Sequence, residues 1–134
     1  MEKQALKEFK ELKLQSVEKA LDYKFKNKSR LIQAFTTKSH AKEKKDEKIS
    51  VESQDSLRTL GDAILKNTLI EILINLGLST PKDITEKKKN LESREHLAII
   101  FKNMKIPFAC FKKGGGETEN NQHSVILRIN EVAF

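Results

Sequence analysis

The stretch Asp55-Ser56-Leu57-Arg58-Thr59-Leu60-Gly61-Asp62-Ala63-Ile64-Leu65 decides the fold of this chain. Residues three, four and seven apart share one face of a helix, so Asp55, Arg58, Thr59, Asp62 and Lys66 fall in a single stripe. The other side carries Leu57, Leu60, Ile64 and Leu65. Such a helix is oily on one side and holds two carboxylates in register on the other. Paired carboxylates suit a divalent cation, and the arginine between them opposes it.

Working outward, the apolar pattern runs on through Leu69, Ile70, Ile72, Leu73, Ile74 and Leu76. It predicts a central helix over about 53–76 with Gly77 as its stop. Apolar residues on most sides predict burial all round, with Leu57, Leu60, Ile64, Leu65, Leu69 and Leu73 in the core. Thr80-Pro81-Lys82-Asp83 opens a further helix, with a threonine cap, proline in the first turn and an acid soon after. Ser93 caps the next, which ends at Ile106-Pro107. On the N-terminal side, residues 3–14 have helical periodicity and Ser29 is placed to cap a helix through Phe35. The charged run 41–52 reads as a mobile loop or a frayed helix end. Lys112 to Glu117 reads as a glycine-rich linker that fits no phosphate-binding pattern. Ser124–Phe134 reads as a last helix with Val125, Ile129, Val132 and Ala133 inward. Nothing calls for a sheet, so the expected class is all-α.

The stretch resembles the ribonuclease III signature helix, E-R-L-E-F-L-G-D-A-V-L. The likeness extends in both directions. Val17 to Asn27 resembles the family's opening helix and its G-Y-x-F-x-(D/N) turn. Leu31 to His40 is similar to L-x-x-A-L-T-H-R-S-Y, and Ile84 to Phe101 to the segment ending E-x-L-A-x-I-A. The resemblance implies an N-terminal helical extension over 1–14 and a ribonuclease III-like domain over 15–134, shortened at its C-terminus and without a double-stranded-RNA-binding domain. It also implies a homodimer near the central helix.

The family holds Mg²⁺ (or Mn²⁺) with carboxylates from two helices, because that ion prefers hard oxygen ligands, and it uses the metal to activate water against RNA phosphodiesters. Carried over by position, Asp55 takes the first glutamate, Arg58 the second and Asp62 the signature aspartate. In the last helix Glu131 takes the glutamate position and Arg128 that of the aspartate. The resemblance therefore implies Asp62 and Glu131 as metal ligands and catalytic groups, with Asp55 beside them. Arg58 and Arg128 stand where acids are expected. An arginine repels the cation and can engage Asp62 bidentately one turn away.

The 26 Lys and Arg against 19 Asp and Glu give a formal net charge of +7, which favours polyanionic partners. Lys38 and Lys87-Lys88-Lys89 are the candidate contacts for RNA phosphates, since double-stranded RNA is recognised by shape and backbone. For any one lysine the plainer reading is a solvated face. The single cysteine, Cys110, excludes an intramolecular disulfide and reads as a small buried hydrophobe. No N-terminal apolar segment and no membrane-length run is visible, so the chain is read as cytoplasmic with no membrane partner. Two functions follow. One is a Mg²⁺-dependent endoribonuclease acting on double-stranded or structured RNA. The alternative is a degenerate domain of the same type that binds RNA, or scaffolds an RNA-processing or ribosomal complex, without cutting it.

Overall fold

Helix boundaries follow from which residues can satisfy the orphan amides and carbonyls at each end. The computed structural model describes residues 2–107, 110–112, 114 and 115. Among them are seven helices: α1 (Glu2–Glu11), α2 (Gln15–Leu21), α3 (Lys28–Ala34), α4 (Lys38–Asp46), α5 (Asp55–Asn75), α6 (Pro81–Leu91) and α7 (Arg94–Asn103). The described residues form no strand, and Thr36 and Lys112 make one isolated parallel bridge. The all-α expectation is met. No helix of the described residues is long and apolar enough to cross a membrane.

Thr80 and Ser93 cap α6 and α7 as expected, accepting from the amides of Asp83 and His96. The Thr80 hydroxyl also donates to the Asp83 carboxylate at 2.6 Å. Asn27, not Ser29, caps α3, accepting from the Arg30 amide. The charged run 41–52 is the end of a regular helix as far as Asp46, which fits the helix-end reading rather than the loop. Thr37 caps α4 through the His40 amide, and Lys44 and Lys45 sit in its last turn against the negative end of the dipole.

Besides Lys105 after α7 (φ 54°), four helices end in a left-handed residue, and of these only Gly77 (φ +97°) is a glycine. Lys13, Asp22 and Lys48 fill the same role at φ 51°, 49° and 63°. Each is followed by a residue whose amide reaches back five positions: Leu14 to Phe9, Tyr23 to Glu18, Ile49 to Lys44 and Leu78 to Leu73. A left-handed L-residue costs about 1–2 kcal/mol. Satisfied carbonyls and the returning residue's contacts offset it. The helix expected over 3–14 is therefore cut at Lys13, and Leu14 turns fully into the core.

That core joins Phe9, Leu14, Val17, Leu31, Ile32, Phe35, Phe101, Cys110 and Phe111. Phe111 stacks on Phe35 with ring centroids 4.5 Å apart and tilts against Phe101 at 6.1 Å. Burial pushes the Cys110 thiol above its ordinary value, which suits its packing role.

Of the linker expected over Lys112–Glu117, the described residues Lys112, Gly114 and Gly115 are held in place, and residues 113, 116 and 117 lie outside the described residues. Lys112 is hydrogen-bonded through its backbone to Phe35 and Thr37, and its ammonium pairs with Glu8 at 2.6 Å. Gly115 N–H donates to the Glu43 carboxylate at 2.8 Å. Gly114 is buried so tightly on α4 that a Cβ there would lie 2.9 Å from the Ser39 Cβ.

The central helix departs from expectation in burial. Among its residues only Gly61 and Leu73 are buried. Leu57, Leu65 and Leu69 are half-buried. Leu60, Ile64, Ile72, Ile74 and Leu76 stand between 48% and 72% exposed. The pattern records that this helix needs cover on most sides. It does not record whether the cover comes from the same chain, and among the described elements α6 makes the main contact.

A polar staple holds α2 to α3. The Glu18 carboxylate takes the Lys28 ammonium and the Phe25 amide, the latter at 2.8 Å, while Lys28 lies 4.4 Å from the centre of the Phe9 ring. Burial alone would raise the Glu18 pKa, but these donors outweigh it and hold the group below its ordinary value.

Two outcomes follow. Glu18→Gln should cost about 1.5–3 kcal/mol near neutral pH, as for a hydrogen bond to a charged group. A depressed carboxylate stabilises fully above its unfolded pKa of about 4.3 and loses that stabilisation as pH falls through the folded value. The gap between wild type and variant in urea unfolding should therefore close under acid, and a gap that persists there would reject the staple. Gly114→Ala should destabilise by about 1–3 kcal/mol through overpacking against Ser39, and an unchanged thermal midpoint would show that the 110–115 segment is not seated on α4.

Candidate functional site

The start of α5 is fixed before any charge is placed on it. The Gln54 amide donates to Thr36 O at 2.9 Å. The buried Gln33 side chain donates to Ser53 O at 3.1 Å and reaches the Ser56 hydroxyl at 3.2 Å. These bonds set the azimuth of the helix, so the Asp55–Asp62 stripe has a defined direction.

Each acid of the stripe meets a lysine. Asp55 lies 3.7 Å from the Lys38 ammonium, and Asp62 lies 2.9 Å from that of Lys66. Asp62's hydrogen bond, then its charge, raises the Lys66 pKa, and the charge of Glu92 adds to it. Lys66 was visible at the end of the stripe as one more cation. Its pairing follows from the favourable order of acid before lysine four residues on. Arg58 is half-buried in the turn between the acids, and its amide donates to Gln54 O at 2.8 Å.

Asp55 and Asp62 are two helical turns apart, about 10 Å along the axis. One Mg²⁺ with oxygen ligands at about 2.1 Å cannot take both. No three His, Cys, Asp or Glu side chains gather into a metal-holding group among the described residues. Of the two ligands the resemblance implies, Asp62 alone is among the described residues. Glu131 and Arg128 lie outside the described residues, as does the expected helix over 124–134.

The basic candidates separate in the structure. Lys87 and Lys89 are exposed on α6, whereas Lys88 pairs with Glu92 at 3.1 Å with both side chains largely covered. The second Glu92 oxygen is buried without a hydrogen bond among the described residues, so Lys88 is held as its counter-charge. Lys38, beside Asp55, keeps a well-exposed ammonium. On the other side of α5, a cavity of about 260 Å³ is apolar, with Val17, Leu31, Phe35, Leu57, Leu60 and Ile64 in its wall.

No protein-family model and no curated protein matches the sequence. Among solved structures, the chain is similar to the nuclease domain of ribonuclease III from Campylobacter jejuni. The TM-score is 0.72 at 25% identity, covering 90% of this chain and 80% of that one. That structure is described for flexibility in a region involved in dimer formation. The chain thus has a ribonuclease III-like fold.

The exposed Asp62–Lys66 pair should carry little of the stability, since screened surface pairs contribute weakly. Asp62→Asn is expected to leave the thermal midpoint unchanged while returning the Lys66 ammonium towards its ordinary titration, followed by side-chain NMR. An unmoved Lys66 titration would show that Asp62 is not its partner.

Proposed function

We propose that this chain is a ribonuclease III-like domain that binds double-stranded or structured RNA through its backbone phosphates, and that it works in the cytoplasm as a homodimer. The observation that carries this reading is the charge on the α5 stripe. Where the fold's relatives are expected to gather acids, this chain sets Lys38 against Asp55, Lys66 against Asp62 and Arg58 between them. Such a face attracts phosphate more readily than a divalent cation. The exposed lysines Lys87 and Lys89 supply further positive charge for a ligand recognised by shape and backbone.

The exposed apolar residues of α5, Leu60, Ile64, Ile72, Ile74 and Leu76, support self-association. So does the dimer formation described for the Campylobacter nuclease domain.

A second reading, cleavage of the bound RNA with Mg²⁺ or Mn²⁺, is favoured by Asp62, which keeps the signature acid half-exposed. In that reading Glu131 is the other ligand and Asp55 a neighbouring acid, with Arg58 and Arg128 the departures that weaken the site.

The test is fluorescence anisotropy with a labelled RNA hairpin, run beside incubation with Mg²⁺ or Mn²⁺. The binding reading expects association that weakens steeply with salt, because phosphate neutralisation releases counterions. It also expects intact RNA with wild type, Asp62→Asn and Arg58→Glu alike. No association at low salt would overturn it. Cleavage that Asp62→Asn abolishes and Arg58→Glu accelerates would replace it with the nuclease reading.

A further inference from the structure

A cleft of about 540 Å³ opens between α4 and the segment that returns from it to α5. Lys38, Lys42, Lys45 and Lys48 line it, with Val51 and Asp55 in the facing wall. Positions 38, 42 and 45 are spaced i, i+4, i+7, so three lysines form one row about 10 Å long on a single face of α4. Lys48, just past the helix end, extends the row.

The charges of this segment are sorted, not merely abundant. Residues 38–48 also contain Glu43, Asp46 and Glu47. None of these acids lines the cleft. Glu43 accepts from the Gly115 amide, and Glu47 pairs with Lys44 at 2.6 Å. Among the described residues the only carboxylate in the cleft wall is Asp55, and Lys38 lies against it. No carboxylate of a described residue pairs with Lys42, Lys45 or Lys48. Three ammonium groups therefore face the same cleft without a counter-charge, and their mutual repulsion is relieved only by solvent or by a bound anion.

Lys48 sharpens the point. It occupies the left-handed position at the end of α4, where glycine has the lower cost. Here the strained residue adds a cation to the row of Lys42 and Lys45. Ile49 and Val51, also in the wall, supply apolar surface for a sugar or base face, and Ser50 and Ser53 supply hydroxyls.

We infer that this cleft is a phosphodiester-binding site, in which Lys42, Lys45 and Lys48 take consecutive backbone phosphates of an RNA strand while Lys38 stays with Asp55. The inference rests on the reading of the chain as RNA-binding, and it names a contact surface separate from the exposed lysines of α6.

The test uses the full chain with a labelled RNA hairpin across a salt series. Lys42→Gln with Lys45→Gln should weaken binding about tenfold and lower the log–log salt slope by about two, roughly one per phosphate contact. Lys48→Gly should also weaken binding and lower the slope by about one, while its thermal midpoint holds or rises because glycine accepts the left-handed turn. That variant separates loss of the contact from loss of the fold. The charge-matched control is Lys24→Gln with Lys26→Gln, on the exposed turn before α3. Cleft variants that bind like wild type, or a control that weakens binding equally, would overturn the site and leave the RNA reading standing. Failure of the wild-type chain to bind RNA would overturn both.

Discussion

The junction Phe35-Thr36-Thr37 is the constraint on which the rest of the structure depends. Within these three residues the chain leaves α3, starts α4, receives the start of α5 and takes the returning segment at Lys112. Lys112 N–H donates to Phe35 O at 2.8 Å and Thr37 N–H to Lys112 O at 3.0 Å, while Gln54 N–H donates to Thr36 O at 2.9 Å. The Thr36 hydroxyl closes on Ile32 O at 2.7 Å. Thr36 and Thr37 are buried, so each of these groups would lose its partner without gaining water if the segments moved apart. An unmet buried polar group costs about 1–3 kcal/mol. The junction is therefore cooperative: the segments that meet there are held together or released together. Phe35 and Phe111 stack beside it, so the apolar core and the polar crossing reinforce one another.

Function inherits this constraint directly. Lys38 follows the junction by one residue, and Asp55 follows its hydrogen-bonded partner Gln54 by one. The first ion pair of the candidate site is thus a consequence of where two helix starts are tied together. Farther along α5, Asp62 finds its cation on its own helix at Lys66. A fold can be kept while its site changes character. Here the ribonuclease III-like frame persists, yet the described part of its acid stripe is interleaved with cations. At a few ångströms, unit charges in a surface environment interact by about 4 kcal/mol before screening. Replacing one acid with arginine therefore changes the charge of that face by an amount comparable to one such pair.

The fold was largely legible because its main helices carry explicit punctuation. Gly77, Thr80-Pro81 and Ser93 mark the end of α5 and the starts of α6 and α7, each through a bond the structure contains. The breaks that escaped notice are those where a side chain does the work of glycine. Lys13 and Lys48 adopt left-handed turns that no propensity favours; burial of Leu14 supplies the reason at the first, and the return of the Ile49 amide to Lys44 O is the bond that closes the second. The glycine-rich segment looked like a linker because its seat, the Ser39–Glu43 face of α4, is some seventy residues away in sequence, about the hardest kind of contact to read locally. For the site, the Asp55–Asp62 stripe was visible from helical spacing. The sorting of α4 was not, because composition reports that lysines and glutamates alternate but not which of them a distant backbone amide will claim. Glu131 and Arg128 fall outside the described residues, so the second half of the expected acid set stays with the resemblance that named it.

Asp55 links the two basic surfaces. It begins the α5 stripe and stands in the wall of the α4 cleft, and its pairing with Lys38 sets a neutral point between them. On one side lies the unpaired row of Lys42, Lys45 and Lys48. On the other lie Arg58 and Lys66 along α5. A polyanion lying across both would meet positive charge at either end and a balanced pair in the middle, which permits close approach without a charge to desolvate at the crossing. The apolar residues Leu60 and Ile64 project from the opposite side of the same helix, about 160° from Asp62 by helical spacing. One helix thus separates an anion-facing surface from an oily one. A partner helix or a second copy could cover Leu60 and Ile64 without displacing anything bound along Asp55 and Arg58. The charged stripe and the apolar side of α5 are thus geometrically independent, and the proposed association and the proposed phosphate binding can be tested separately.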